Sequence, residues 1–198
     1  REKVFIERDL TKIINIFPNL RIVLEHITSA NAVKFIEKHK NIVATITNHH
    51  LMVNRNIMLS KGIRPDFYCA PILKTENDRL ALVQAAISGS DKFFLGTDSA
   101  PHVDGKKVSP CGCAGIFSSP LAVPLLIQLF EEHNSLEKIE KFMSKNGRAF
   151  YGAEQQLDRV RYVKRAKSIN TIKDIKTDKG KITVFNPYTE LYWERANA

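Results

Sequence analysis

The stretch FFLGTDSAPHVDGKKVSPCGCAG, residues 93–115, ends an apolar run with an aspartate and sets a histidine four residues further on. A carboxylate at the carboxyl end of a parallel strand faces an open site, where it can bind a metal ion or accept a proton from water. Asp98 is therefore the first candidate for chemistry, and the alternative is that it caps the following turn. His102 either holds a substrate carboxylate or is an exposed loop residue.

His26 is the second candidate, because imidazole is the commonest nitrogen ligand of zinc and this residue follows a short apolar run. A lone histidine in such a place is more often a hydrogen-bonded core residue, but a second candidate ligand on another strand favours the metal site. His49 and His50 are adjacent, so on a strand they would point to opposite faces and only one could line a site. The CGCAG run is either a tight loop or a place where main-chain groups approach a planar polar ligand.

Four short apolar segments of strand length must position these side chains. They are residues 21–27, 42–47, 66–72 and 93–99, and helical patterns cover 31–39 and 76–89. Apolar strands that alternate with helices are typical of parallel βαβ units, in which functional side chains gather at the carboxyl ends of the strands. The fold class is therefore predicted to be α/β, with additional C-terminal helices after residue 115 and a short hairpin in residues 182–193 around an Asn-Pro turn.

Composition bounds the class of protein. The chain has 198 residues, 43% of them hydrophobic and 26% charged, which suits one domain with a sizeable core. No apolar run reaches membrane-spanning length and no signal peptide is recognisable, so we expect a cytoplasmic protein without a membrane partner. The three cysteines, an odd number, suit a reducing compartment.

Charge is the remaining global feature. The net charge of +9 comes mostly from residues 159–181, where lysines alternate with aspartates and aromatic residues are sparse. This pattern favours a solvated surface over a nucleic-acid site, so we expect no nucleic-acid partner. The sequence also lacks a glycine-rich phosphate loop, a serine nucleophile elbow and an H-E-x-x-H helix, which argues against phosphoryl transfer, esterase and zincin chemistry.

Several separate motifs carry a resemblance to a known family. The strings LEHITS, HHLMVNRN, GIRPDFYCAPILK, FFLGTDSAPH and CGCAG, in this order and at matching intervals, resemble the C-terminal half of dihydroorotase of the shorter bacterial type, in the amidohydrolase superfamily. The resemblance runs from residue 1 to about 152 and fades beyond. It implies that residues 1–152 are the C-terminal half of a (β/α)₈ TIM barrel, with 153–198 an extension that packs on it.

The resemblance also implies an activity and a site. The family uses zinc to cyclise N-carbamoyl-L-aspartate reversibly to (S)-dihydroorotate and water in pyrimidine biosynthesis. By the matching motifs, His26 binds one zinc, and Asp98 binds the other and acts as general base or acid. His102 holds the substrate α-carboxylate, and the main chain at Ala70 and Ala114 contacts the substrate ring.

The rest of the family's site is not found in this sequence. The family needs an H-x-H pair and a carbamylated lysine that bridges the two zinc ions, and the chain contains no H-x-H. We therefore expect the C-terminal part of a longer enzyme, inactive alone, whose partners are its N-terminal half and, in a homodimer, a second copy. The alternatives are another cyclic-amide hydrolase, such as a hydantoinase or allantoinase, and a metal-less barrel relative that acts as a scaffold; an upstream H-x-H and lysine would favour catalysis.

Overall fold

The computed structural model describes residues 1–154, 158–188 and 190–196. Its centre is a parallel sheet of three strands in the order β1 (Ile22–Leu24), β2 (Ile42–Ile46) and β3 (Phe93–Leu95). Every residue of β2 is buried, as expected of a middle strand covered on both faces. The predicted α/β class is thus confirmed, and three of the four predicted strands form.

Helices and helical turns surround this sheet. The α-helices are α1 (Glu2–Phe5), α2 (Thr11–Ile16), α3 (Ala30–Lys38), α4 (Asn48–Met52), α5 (Glu76–Ile87), α6 (Asp104–Lys107), α7 (Ala122–Glu132) and α8 (Asn146–Tyr151). Four 3₁₀ turns lie at Arg55–Met58, Pro65–Phe67, Ser119–Leu121 and Leu136–Lys138, and π-helical segments lie at Ile6–Leu10 and Lys141–Lys145. The helices predicted over 31–39 and 76–89 are confirmed as α3 and α5.

Local sequence explains where these two helices begin and end. The Ser29 side chain caps α3 by accepting a hydrogen bond from the Ala32 N–H. Helix α5 begins with a capping box, in which Thr75 and Asp78 satisfy each other's main-chain N–H groups. Gly89, which follows α5, has a φ of 76°, a left-handed conformation that stops a helix at little cost.

The prediction of a strand over residues 66–72 is wrong, since this segment begins in a 3₁₀ turn and continues as irregular loop. Its main-chain groups bind side chains and another loop instead of a neighbouring strand. The carbonyl of Tyr68 accepts from Lys107 Nζ, and that of Pro71 accepts from His50 Nε2. Pro71 also lacks the N–H that a ladder would need.

The C-terminal hairpin exists, but not where the sequence analysis predicted it. It joins β5 (Asp174–Thr177) to β6 (Gly180–Thr183) through the two-residue turn Asp178-Lys179, with Gly180 at a φ of 131°. The Asn-Pro stretch inside 182–193 is not a hairpin turn, and Thr189 lies outside the described residues. Strand β7 (Trp193–Arg195) pairs instead with β4 (Tyr162–Lys164).

Two apolar clusters hold these parts together. The first packs α3, α5 and α7 around the sheet, with Ile36, Phe93 and Phe130 among its fully buried side chains. The second lies beneath the loops and includes Phe67, Cys69, Leu73, Ile116, Leu125 and Phe185. The loops that follow the strands are therefore fixed on a packed base. Among the described residues, no helix is long and apolar enough to cross a membrane.

Candidate functional site

His26 and Asp98 both lie just beyond the carboxyl ends of parallel strands, at the same end of the sheet. His26 lies two residues beyond β1 and Asp98 three residues beyond β3, and both strands run parallel to β2 between them. Strands lie about 4.8 Å apart in a sheet, so these two residues follow strands separated by about 10 Å. Both residues therefore lie at the carboxyl end of the sheet, where the strand pattern predicts them.

Both residues have an unusual backbone conformation. The φ angle is 53° at His26 and 42° at Asp98, in the left-handed region. Residues other than glycine rarely adopt this conformation, although Asp, Asn and His tolerate it better than most. It costs roughly 1–2 kcal/mol per residue, and such local strain is concentrated at functional sites. Lys61 and Asn134 share this conformation, so it accompanies the two candidate residues but does not by itself identify them.

Thr45 fixes the orientation of the His26 ring. Its Oγ1 accepts the His26 main-chain N–H at 2.7 Å and lies 3.2 Å from Nδ1 of the same ring. A hydrogen bond at one ring nitrogen sets the tautomer and directs the other nitrogen toward a ligand. The sequence analysis did not select Thr45. The available signal was a hydroxyl inside the apolar strand IVATIT.

The His102 side chain contacts the main chain of Ala114, one of the two residues whose main chain is expected to bind the substrate ring. Its Nε2 lies 3.1 Å from the carbonyl oxygen of Ala114, and since a carbonyl only accepts, Nε2 carries the proton. The CGCAG loop fits closely around this pair, because a Cβ on Gly115 would lie 2.9 Å from the His102 ring and 2.6 Å from Ala100 Cβ. The glycine therefore permits the contact.

Ala70 lies on the neighbouring loop, exposed to solvent. This loop is joined to the CGCAG loop by a main-chain hydrogen bond from Gly115 N–H to the Tyr68 carbonyl, at 2.9 Å. The structure thus brings Ala70, His102 and Ala114 into one pair of linked loops. No hydrogen bond or ion pair joins this group directly to His26 within the part of the chain that the structure describes.

A buried cluster of His49, His50 and Cys69 is the main departure from the sequence analysis. The prediction that the two histidines point to opposite faces is wrong, because they lie in helix α4 and not on a strand. Their rings are 4.6 Å apart, and one possible ligand atom from each of the three residues lies within 4.8 Å of the others. These residues could hold a metal, but hydrogen bonds already occupy most of their polar atoms.

Hydrogen bonds distinguish the two histidines. His50 Nδ1 lies 2.7 Å from Thr47 Oγ1, and its Nε2 donates to the Pro71 carbonyl at 2.9 Å. His49 is fully buried, and neither of its ring nitrogens has a partner among the described residues. An unpaired buried polar group costs about 1–3 kcal/mol, so His49 is an unusual core residue.

Burial controls the protonation of this cluster. It lowers the pKa of His49 well below the ordinary value, with the charges of His50 and His26 contributing further. Burial also lowers the pKa of His50 to about 4, opposed by its hydrogen bond to Pro71. The pKa of the Cys69 thiol rises to about 11, mainly through burial and in a smaller part through Asp98. All three groups are neutral near pH 7.

The donor atoms of His26 and Asp98 suit a zinc site. Thr45 occupies Nδ1 of His26, which leaves Nε2, and Glu25 Oε2 lies 3.9 Å from that nitrogen. The Asp98 carboxylate makes no hydrogen bond or ion pair to any described residue. An imidazole nitrogen and a carboxylate oxygen are ordinary zinc ligands, so these two residues fit part of such a site.

No family model matches the chain. The dihydroorotase of Rhizobium rhizogenes is 44% identical over 195 residues, which is 98% of this chain and 56% of that protein. The dihydroorotase of Vibrio atlanticus is 53% identical over 165 residues, 83% of this chain and 48% of that protein. The chain spans about half the length of the curated relatives it matches.

Solved structures give the same result. A dihydroorotase from Saccharomyces cerevisiae, in complex with 5-fluoroorotic acid, superposes with a TM-score of 0.83 at 36% identity over 94% of this chain and 54% of that one. The L-hydantoinase of Arthrobacter aurescens gives a TM-score of 0.74 at 15% identity, covering 98% of this chain and 46% of that one, which shows a shared fold alone.

The fold is therefore that of the cyclic-amide hydrolases, a class in which dihydroorotases and hydantoinases share one architecture. Within that class, the chain belongs to the dihydroorotase family and corresponds to the C-terminal half of its members.

Proposed function

We propose that the full-length protein containing this chain is a zinc-dependent dihydroorotase. It interconverts N-carbamoyl-L-aspartate with (S)-dihydroorotate and water, a step in the synthesis of pyrimidines. The observation that carries this proposal is the identity of 44% to 53% with dihydroorotases, combined with the position of His26 and Asp98 at the carboxyl end of the parallel sheet. The enzyme works in the cytoplasm on a small anionic substrate.

The rest of the protein completes the fold in this proposal. Residues 1–152 form half of a (β/α)₈ barrel, and residues 153–198 form an extension on it. Strands β1 and β3 each have one strand neighbour among the described residues, so both edges can pair with further strands. Several apolar side chains near the amino end are exposed, which supports the proposal that another part of the full-length protein covers them: Val4, Phe5, Ile13, Ile16, Phe17 and Leu20.

The proposed site would take two zinc ions. His26 would hold one through Nε2 and Asp98 the other, while the remaining ligands, including a carbamylated lysine, would come from the N-terminal half. When bound, the zinc pair supplies Lewis-acid chemistry, which makes water more acidic and polarises an amide carbonyl. Thr45 supports this assignment, because it holds the His26 ring from the opposite nitrogen.

Asp98 moves the proton in both directions. In ring opening it takes a proton from the attacking water, a C–O bond forms, and the C–N bond breaks as the departing ring nitrogen receives that proton. In ring closure Asp98 takes a proton from the terminal ureido nitrogen as that nitrogen bonds to the carbon of the protonated side-chain carboxyl group. Asp98 then returns the proton to the departing hydroxyl, which leaves as water. The Asp98 carboxylate is suited to this role because no described residue forms a hydrogen bond or an ion pair with it.

The loops bind the substrate. His102 already donates from Nε2 to the Ala114 carbonyl. The other ring nitrogen, Nδ1, holds the substrate α-carboxylate by a charge-assisted hydrogen bond. The main chain at Ala70 and Ala114 binds the polar edge of the substrate ring. A homodimer is part of the proposal, and nucleic acid and membrane are not partners.

The surface charges agree with a small-molecule enzyme. Several basic side chains of the C-terminal region pair with carboxylates and are not free to bind a polyanion. Lys164 lies 2.9 Å from Glu131, and Lys181 lies 3.3 Å from Asp104. The lysine-rich stretch is thus partly neutralised on the protein itself.

The test is a substrate panel with the purified full-length protein. We expect turnover of dihydroorotate and N-carbamoyl-L-aspartate, and little turnover of hydantoin or allantoin. We also expect about two zinc ions per chain, and about one in His26→Asn, since each ion loses its ligands separately. Asparagine is chosen because it tolerates the left-handed backbone at position 26. A preference for hydantoin or allantoin, or a protein that neither binds zinc nor turns over dihydroorotate, contradicts the proposal.

A further inference from the structure

Lys107 is a buried lysine whose charge is satisfied by main-chain carbonyls. It is the last residue of α6 and is 6% exposed, whereas its neighbour Lys106 is exposed. The Lys107 Nζ donates to the carbonyls of Tyr68 at 2.9 Å, Cys113 at 2.9 Å and Gly115 at 2.7 Å. It forms no ion pair within the described ranges of the chain.

The three acceptors match the chemistry of an ammonium group. A protonated lysine has three N–H donors and no acceptor, so three carbonyls satisfy it completely. Burial lowers the pKa of Lys107, while the negative charge of Asp66 opposes this change. Burying an ammonium group is costly, and its loss would leave the carbonyls of Cys113 and Gly115 without a donor.

The acceptors belong to the two loops on which substrate binding depends. Tyr68 lies two residues before Ala70, and Cys113 and Gly115 flank Ala114 on either side. The carbonyls of Cys113 and Gly115 face Lys107, whereas that of Ala114 accepts from His102. Lys107 and His102 therefore hold the same short segment from two sides.

From this arrangement we infer that Lys107 is a positioning residue for substrate binding. It fixes the loop that carries Ala70 against the loop that carries Ala114, so that both present their main-chain groups to one ligand. This inference rests on the proposed function, because the ligand is the dihydroorotase substrate. Lys107 itself does not touch the substrate and takes no part in the proton transfer.

The first experiment compares two matched variants of the full-length protein. Lys107→Met removes the donors and keeps the length of the side chain, and Lys106→Met makes the same change on the exposed neighbour. We expect Lys107→Met to raise KM for dihydroorotate about tenfold or more, with kcat within about threefold of the parent, because misplaced loops weaken ground-state binding. For Lys106→Met we expect KM within about twofold.

A merely structural role gives a different result. Partial unfolding lowers the fraction of active protein, which reduces kcat and leaves KM unchanged. If Lys107→Met does not fold, Lys107→Arg replaces it; the larger planar cation cannot place three donors on the same carbonyls, and KM should again rise. An unchanged KM in a folded Lys107 variant overturns the inference.

A second readout does not depend on substrate. In a Cys111→Ser background, we expect a thiol reagent to label Cys113 about fivefold faster or more in Lys107→Met than in Lys106→Met, because the released loop opens more often. Cys69 is buried and contributes little to the labelling. If the parent protein does not turn over dihydroorotate, the proposed function fails, and labelling alone decides whether Lys107 joins the loops. Equal labelling rates overturn that claim.

Discussion

The hydroxyl of Thr45 lies 3.2 Å from Nδ1 of His26 and also accepts the main-chain N–H of the same residue at 2.7 Å. One side chain of the central strand thereby fixes both the backbone and the ring of the proposed zinc ligand. Gly96, the residue after β3, makes room for it, since a Cβ at that position would lie 2.6 Å from Thr45 Cβ. Residues on β2 and just beyond β3 therefore contribute to the orientation of His26.

Removal of the Thr45 hydroxyl should weaken zinc binding. Thr45→Val keeps the shape of the side chain and deletes its hydrogen bonds, so we expect zinc affinity to fall about 10-fold to 100-fold, as for other outer-shell partners. Competition with a chelator measures this in the full-length protein. Thr45→Ser retains the hydroxyl and should bind zinc nearly as well as the parent. Equal affinity in the valine and serine variants would show that Thr45 does not orient the ligand.

Replacement of Asp98 separates its chemistry from its backbone strain. Asp98→Asn should reduce turnover about 10³-fold or more, because the amide cannot accept the proton. Asparagine tolerates the left-handed φ of 42° at this position, so the variant should unfold at nearly the parent temperature. Asp98→Ala should lose activity equally and be less stable by about 1 kcal/mol, since alanine lacks the short polar side chain that lets Asp and Asn adopt the left-handed conformation. Normal turnover in either variant would disprove the assigned role.

The two buried histidines should respond in opposite ways to the same substitution. His49→Leu removes two unpaired ring nitrogens, so we expect the free energy of unfolding to stay constant or rise by about 1 kcal/mol. His50→Leu removes the imidazole that bonds the Thr47 hydroxyl and the Pro71 carbonyl, and should lower the free energy of unfolding by about 1–3 kcal/mol. Urea denaturation of the full-length protein at neutral pH measures both. A loss of similar size in the two variants would mean that His49 also has a partner in the complete protein.

Acid should destabilise the protein through these same histidines. The pKa of His50 is about 4 when folded and 6.5 ordinarily, so below pH 6.5 the unfolded chain binds more protons than the folded one. The free energy of unfolding is therefore highest above about pH 6.5 and decreases as the pH drops toward 4. His50 alone accounts for about 3 kcal/mol of this decrease. His49, whose pKa is also lowered, acts in the same direction.

Chelator-treated full-length protein is the material for this measurement, so that loss of metal does not contribute. The free energy of unfolding, followed by urea denaturation between pH 7.5 and pH 4.5, should decrease less steeply in His50→Gln than in the parent. Identical slopes in the two proteins would be inconsistent with a neutral, buried His50.

Local patterns in the sequence determined the elements and the residues at their ends. The apolar runs predicted β1, β2 and β3, and the placement of His26 and Asp98 beyond two of them followed from the rule for parallel strands. The motifs that pair His102 with CGCAG predicted one site; the structure brings His102 to Ala114, and the roles of these residues stay predictions. The three strands could be predicted because burial of a strand and the spacing along it depend on neighbouring residues.

Only the tertiary structure decided which distant groups meet. Nothing distinguishes Lys107 from Lys106 in the sequence, yet one is buried against three carbonyls and the other is exposed. The stretch 66–72 resembles a strand by composition, but its main-chain groups bind Lys107, His50 and Gly115, which lie far from it along the chain. Hydrogen bonds between remote segments depend on how the whole chain packs, and local propensity contains no information about that partnership.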